Sequence, residues 1–319
     1  MANSTPTSHF HFSTVTGVFL QDEPTTDPGT FDYVSTNFGL IDRPYPSDNK
    51  LDNPETKTQW QRLKSYIDDL NASSPPETQY KLLFLGRHGQ GLHNVAESRY
   101  GTVMWDCHYS LLPGDAHGPW HDARLTDLGK AQAQTAHDAW KTQIANKIPA
   151  PESYYVSPLI RCCETARITF SDTNLPHTAP FKPLIKELLR ETLGLHTCDA
   201  RSSKSVIASE YPEYVFEEGF SEEDPLHDAE LRESDSARDA RFYEFLSDVF
   251  RSDGNSVLSM TAHSGAITSV LSVVGHRVFP VNTGGVIPVL VKAERREGKG
   301  EEKVVEPWFG RPLCPNERS

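Results

Sequence analysis

The sequence predicts an α/β fold: a three-layer sandwich with a mostly parallel central sheet, helices on both faces and insertions forming a lid over the carboxyl edge. Three observations predict it. Runs of strand length at residues 81–85, 154–156 and 256–261 each empty into a turn containing Gly, Ser or Pro and then a helical segment. Such alternation marks parallel strands joined by crossover helices. The chain has 319 residues with 37% hydrophobic content, enough for one large core. The side chains best suited to chemistry follow the ends of these runs, where open α/β sheets bind ligands.

In chain order, residues 1–12 are polar and read as disordered. Residues 13–50 mix Gly, Pro and Asp with Phe, Tyr and Leu, so they read as a segment packed on the core. Trp60, Leu63, Tyr66, Ile67 and Leu70 recur at helical spacing and predict an amphipathic helix over 56–70. Residues 71–78, with Pro75-Pro76, link it to the first strand. An insertion over 99–125 follows, read as a loop near the pocket mouth. His117 and His121 in it have the four-residue spacing of a helical zinc pair, but Gly118-Pro119 between them argues against a helix. Thr126 is the expected N-cap of a helix continuing over 131–144. Ser157-Pro158 reads as an N-cap followed by proline at the first helical position, which puts Arg161 in the first turn. Residues 183–189 read as a strand, 202–211 as a short helix, and 212–239 as an acidic insertion that serves either as part of the lid or as a solvated face. Phe242, Phe245, Leu246, Val249 and Phe250 share one side of a helix over 236–250. A helix over 267–274 follows the strand at 256–261. Pro288 within a strand over 286–291 predicts an edge position, and residues 294–303 read as a charged hairpin or loop. The resulting organisation is an N-terminal extension over 1–78, one domain over 79–293 and a tail over 294–319.

Four blocks carry chemistry. Arg87-His88-Gly89-Gln90-Gly91-Leu92-His93-Asn94 pairs a forked cation that fits phosphate oxygens with an imidazole that can attack phosphorus. Arg161 lies where a helix dipole welcomes an anion. Glu191 follows the apolar run 183–189 and can protonate a leaving alkoxide. His263 repeats the placement of His88 at another strand end, and Ser264 and Gly265 can offer backbone N–H groups to the same anion.

The octet 87–94 resembles the signature of the histidine phosphatase superfamily, branch 1, also called the phosphoglycerate-mutase-like family. Ser157-Pro158-x-x-Arg161-x-x-x-Thr165-Ala166 is similar to its second motif, and Leu125-Thr126-x-x-Gly129-x-x-Gln132-Ala133 to the opening of its first helix. The likeness spans about residues 80–292, and residues 189–201 are similar to fungal and plant phosphomutase-like proteins. The resemblance implies a phosphohistidine on His88, with Arg87, Arg161 and His263 holding the phosphoryl oxygens and Glu191 as acid and base. Glu187 competes for that last role, but it lies inside the apolar run. Gln90 and Asn94 are further substrate contacts, as are Ser264, Arg201 and His196. Neither a metal nor another cofactor is expected. Phosphatase is favoured over mutase. Glu191 is followed by Thr192-Leu193-Gly194 rather than the Arg and Tyr with which mutases grip a carboxylate, and Gln90 stands where they commonly carry Glu. A non-catalytic phosphate sensor is the reading from another class.

The net charge is −13, with much of the acid in residues 210–239. A local basic pocket in an acidic protein suits a small phosphorylated substrate and disfavours nucleic acid and anionic membranes. Sugar phosphates, nucleotides, phosphoglycerates and diphosphates all fit, and no feature sets an oligomeric state. No signal-like start or run of 18 apolar residues occurs, so a cytoplasmic protein is expected. The five cysteines lack a Cys-x-x-Cys pair and read as buried thiols rather than disulfides.

Overall fold

The computed structural model describes residues 8–173, 175–176, 180–300 and 304–317. Its main elements in chain order are β1 (Ser8–Thr14), α1 (Gln59–Ser73), β2 (Thr78–Arg87), α2 (Leu92–Tyr100), α3 (Thr102–Cys107), the two-residue strands β3 (Gly114–Asp115) and β4 (Gly118–Pro119), and α4 (Asp127–Ala145). There follow β5 (Ser153–Val156), α5 (Ile160–Phe170), β6 (Pro183–Ile185), α6 (Lys204–Glu210), β7 (Val215–Phe216), α7 (Asp235–Ser252), β8 (Val257–Ala262), α8 (Ser264–Val273) and β9 (Val286–Glu297).

The seven-stranded sheet has the order β1-β9-β2-β8-β5-β6-β7. Strands β2, β8, β5, β6 and β7 are parallel, and β9 runs against both β2 and β1. Alternation along β2 shows how the layers arise. Leu83 and Leu85 pack with Phe242 and Phe245 of α7 and Ile267 and Val270 of α8. Leu82 and Phe84 face the other way, against Trp60 and Leu63 of α1 and Trp140 of α4. No helix among the described residues is long and apolar enough to cross a membrane.

Several segments differ from the sequence reading. Residues 8–14 form β1, paired with β9 from Ser8↔Glu297 to Thr14↔Val291, with Phe10 and Phe12 buried. The strand forms because its apolar rings alternate with polar side chains; residues 1–7 lie outside the described set. Strand β9 runs to Glu297 through what reads as a charged loop, and it is interior. Pro288 is tolerated because β1 stops opposite Val291, so β9 is locally an edge there. The run at 183–189 is a strand only to Ile185 and then a 3-10 turn. Phe19, Phe38 and Tyr45 of the extension pack on the α1/α4 face.

Cys107 and Cys314 form a disulfide, which corrects the expectation of free thiols; Cys162, Cys163 and Cys198 are free and buried. The partners are 207 residues apart, so no local spacing reveals them. Around the bond, Arg311 donates to the Cys107 carbonyl, and Phe309 pairs with Arg232. A covalent link of this span constrains the unfolded chain, so Cys314→Ser is expected to cost about 2–4 kcal/mol. Urea unfolding without reductant measures it, and an unchanged midpoint would mean that the link contributes nothing to stability.

Candidate active site

Strand register brings the site together. Arg87 pairs with Ala262, and Thr261 pairs with Val156. The ladder continues one residue past each strand. His88 N–H donates to Ala262 O at 3.0 Å and Ser157 N–H to Thr261 O at 3.1 Å. His88 and His263 therefore leave adjacent strands at one level, with ring centroids 5.1 Å apart.

His88 is 2% exposed. Its Nδ1 lies 2.7 Å from the Gly89 carbonyl oxygen, which can only accept, so Nδ1 carries the proton and Nε2 keeps its lone pair. Burial, then Arg161 and Arg87, hold its pKa well below 6.5, so the ring is neutral. Gly89 is required by close approach: a Cβ there would lie 2.1 Å from the Gly129 carbonyl oxygen. Its N–H donates to Thr165 Oγ1 at 3.1 Å, tying the nucleophile loop to α5.

Arg87 donates to Val281 O at 2.9 Å, and its Nε is buried without a partner. Arg161 is fully buried and donates to Cys198 O at 2.6 Å and to Asp199 Oδ1 at 2.9 Å. Asp199 also faces Arg232 at 3.3 Å. Helix α5 begins at Ile160, and Ser157 is not its cap. Asp122 of the insertion accepts the Ile160 N–H at 2.9 Å and the Ser202 N–H at 2.8 Å. Ser157 Oγ is thereby free to bond His263 Nε2 at 2.8 Å. His263 is fully buried, and burial followed by Arg161 holds it neutral, with a pKa well below 6.5.

Glu191 accepts from Thr192 N at 2.9 Å and Gly265 N at 3.1 Å. The Gly265 N–H is therefore taken by Glu191 rather than offered to an anion. Gly265 admits the carboxylate because a Cβ there would lie 2.1 Å from Glu191 Oε1. Ser264 is the first residue of α8 and lies beside Gly265. Gln90 Oε1 accepts from Thr126 Oγ1 at 2.9 Å, and Asn94 Oδ1 accepts from Gly91 N at 2.9 Å, so both brace the loop. Arg201 is placed elsewhere. It is paired with Glu187 at 3.0 Å, donates to the carbonyls of Ser202, Ser221, Glu222 and Glu223, and stacks on Phe220. Its guanidinium is thus unavailable to substrate, and Glu187 is held by Arg201 and Arg190 away from an acid's role.

Two acids of the acidic insertion make ion pairs with arginines near the site. Asp224 pairs with Arg190 at 2.6 Å, and Glu233 pairs with Arg241 at 2.6 Å and accepts the Leu193 N–H at 3.0 Å. These links hold the loop that carries Glu191. His196 is buried, and desolvation followed by Arg232 lowers its pKa to about 3.

His93 carries no role in the sequence reading beyond its place in the octet. It sits in the first turn of α2, 5.5 Å from His88 between ring centroids, and burial followed by Arg161 keeps it neutral. Its signal was position within the octet 87–94. The metal-ligating atoms of His196, Cys198 and Asp199 lie within 4.8 Å of one another. They do not suit an ion: Asp199 is engaged by two guanidinium groups, and burial raises the Cys198 thiol's pKa. His117 is in the β3–β4 turn, its N–H bonded to Asp115 at 2.7 Å.

Buried neutral histidines make stability depend on pH. His88, His93, His263 and His196 have folded pKa values below the ordinary 6.5. Their neutral state is favoured on folding, so this contribution is complete above pH 6.5 and is lost as pH falls toward the folded values. Urea midpoints should be level from pH 8 to 7 and fall from pH 6 to 5. A midpoint that rises on acidification would contradict the assignment.

A family model described as "Histidine phosphatase superfamily (branch 1)" matches residues 83–278. A protein of Arthroderma benhamiae named "Probable phosphoglycerate mutase" is 53% identical over 283 residues, 89% of this chain and 84% of that one. "Phosphomutase-like protein 3" of Candida albicans is 42% identical, covering 73% of this chain and 72% of its own. Among solved structures, a mycobacterial glucosyl-3-phosphoglycerate phosphatase overlays with a TM-score of 0.39 at 18% identity, over 68% of this chain and 97% of that one.

Proposed function

Because the chain belongs to branch 1 of the histidine phosphatase superfamily, we propose that it is a phosphatase that hydrolyses a small phosphorylated metabolite through a phosphohistidine on His88. The observation that carries this reading is the 2.7 Å contact of His88 Nδ1 with Gly89 O, which fixes the tautomer. Nδ1 is committed to Gly89 O, so the neutral ring presents the Nε2 lone pair beside Arg87, Arg161 and His263. Nε2 attacks phosphorus, the P–O bond to the leaving group breaks, and Glu191 gives that oxygen its proton. Water then attacks phosphorus, Glu191 takes the proton and the N–P bond breaks. Arg87, Arg161 and His263 hold the equatorial oxygens, so catalysis is positioning and charge stabilisation and calls for no metal.

Hydrolysis is favoured over mutase transfer by the segment after Glu191. Thr192 and Leu193 are buried and committed to Arg238 and Glu233, so they offer no carboxylate grip. The acidic surface disfavours nucleic acid and anionic membranes as partners. Composition favours the cytoplasm, whereas Cys107–Cys314 would persist in an oxidising compartment; thiol labelling of protein taken directly from cells decides between them.

The test is phosphate release from a panel of monoesters and diphosphates in EDTA, with wild type and Glu191→Gln compared. Wild type should release phosphate. Glu191→Gln should lose about 10²–10⁴-fold on alkyl esters and much less on p-nitrophenyl phosphate, whose leaving group needs no proton. Transfer of labelled phosphate to an acceptor without release would instead identify a mutase, and neither activity would indicate a sensor.

A further inference from the structure

Two buried imidazoles near the reacting groups, His93 and His196, make no side-chain hydrogen bond among the described residues. His93 is 9% exposed and His196 is 6% exposed. His93 Nδ1 is buried against Gly91, where a Cβ would lie 2.6 Å from it, which leaves Nε2 as the ring nitrogen open to a ligand. His196 Nε2 is 3.8 Å from Asp106, too far for a hydrogen bond. His93 lies beside His88, and a His196 ring nitrogen lies within 4.8 Å of a carboxylate oxygen of Asp199, the ion-pair partner of Arg161. The His196 ring meets Trp105 at 6.2 Å, and Trp105 packs on Trp120, so the insertion builds the wall behind it. Buried polar groups find partners in the folded state or in its ligand. A neutral imidazole offers one donor and one acceptor, which match a hydroxyl.

The surrounding charge points the same way. Of the arginines packed about the pocket, Arg161, Arg190, Arg232, Arg238 and Arg241 each have a carboxylate partner. Arg87 has none within ion-pair distance among the described residues; its hydrogen bond goes to Val281 O. One phosphoryl group uses that charge. A second anion on the substrate would meet Asp199 and Asp106 on the His196 side, where Arg232 is already paired with Asp199, and burying an unpaired charge is costly.

We infer that His93 and His196 form a leaving-group subsite for an uncharged, hydroxyl-bearing alcohol, so that the substrate carries its negative charge on the transferred phosphoryl group alone. The inference rests on His88 as nucleophile and Glu191 as acid. It excludes phosphoglycerates and bisphosphates as preferred substrates, whatever activity the chain's relatives have.

The experiment compares matched enantiomers of glycerol phosphate and 3-phosphoglycerate, which differ by CH₂OH in place of a carboxylate. Calorimetric binding to His88→Ala is measured beside phosphate release by otherwise unaltered protein. The hydroxyl ester should bind at least about 10-fold tighter. His93→Ala should reduce that preference, and His93→Gln, which keeps a donor and an acceptor, should restore it; a packing defect would weaken both esters alike. Equal affinity, preference for the carboxylate, no binding of the hydroxyl ester, or a preference untouched by His93→Ala would each overturn the subsite. A preference in binding with no phosphate release by wild type would end the hydrolase reading and leave the subsite standing.

Discussion

Replacing His88 by alanine is expected to lower kcat by about 10⁴-fold or more, because the two-step route then has no nucleophile. The loss should come without unfolding. The backbone bonds that place this residue, His88 N–H to Ala262 O and Gly284 N–H to His88 O, do not involve the ring. The ring's one hydrogen bond goes to the next residue's carbonyl rather than to another element. Arg87 and Arg161 remain, so inorganic phosphate should still bind. Stopped assays with enzyme in excess measure the loss, and thermal melts confirm the fold. A variant that keeps a tenth of wild-type kcat would exclude His88 as nucleophile.

Asp199→Ala should have the largest effect on stability. Asp199 is 4% exposed and lies between Arg161 and Arg232. Without it, Arg161 loses its ion-pair partner and keeps its hydrogen bond to the Cys198 carbonyl, and breaking a buried pair in this way costs about 3–5 kcal/mol. Urea unfolding measures the loss. Saturating phosphate should recover more stability in the variant than in wild type, since the anion supplies the missing partner. A loss under about 1 kcal/mol would show that the pair is not needed for the fold.

The parallel core was legible because its strands are short apolar runs that end in turns, and because chemistry collects at their carboxyl ends. Arg87, His88, Arg161, Glu191 and His263 could be placed for that reason. Partners supplied from distant segments were not legible. Residues 8–14 alternate well enough for a strand, but the neighbour that orders them, β9, lies at the far end of the chain. Ser157-Pro158 carries a helix-start pattern, yet Asp122 supplies the cap and leaves Ser157 to His263. Arg201 looked available for substrate because its partner, Glu187, reads locally as part of an apolar strand. The Cys107–Cys314 link has no flanking signature, and Asp199 and His93, although they lie in family-like segments, take their meaning from the tertiary fold alone.

The central claim is covalent transfer to His88. The most direct measurement is rapid mixing with a hydrolysed ester, an alkaline quench that preserves phosphoramidates, and mass spectrometric mapping of the phosphate. We expect phosphate on His88, attached at Nε2 because Nδ1 is held by Gly89 O. Phosphate found on His93 or His263, or turnover with no phosphohistidine in the time course, would contradict the account.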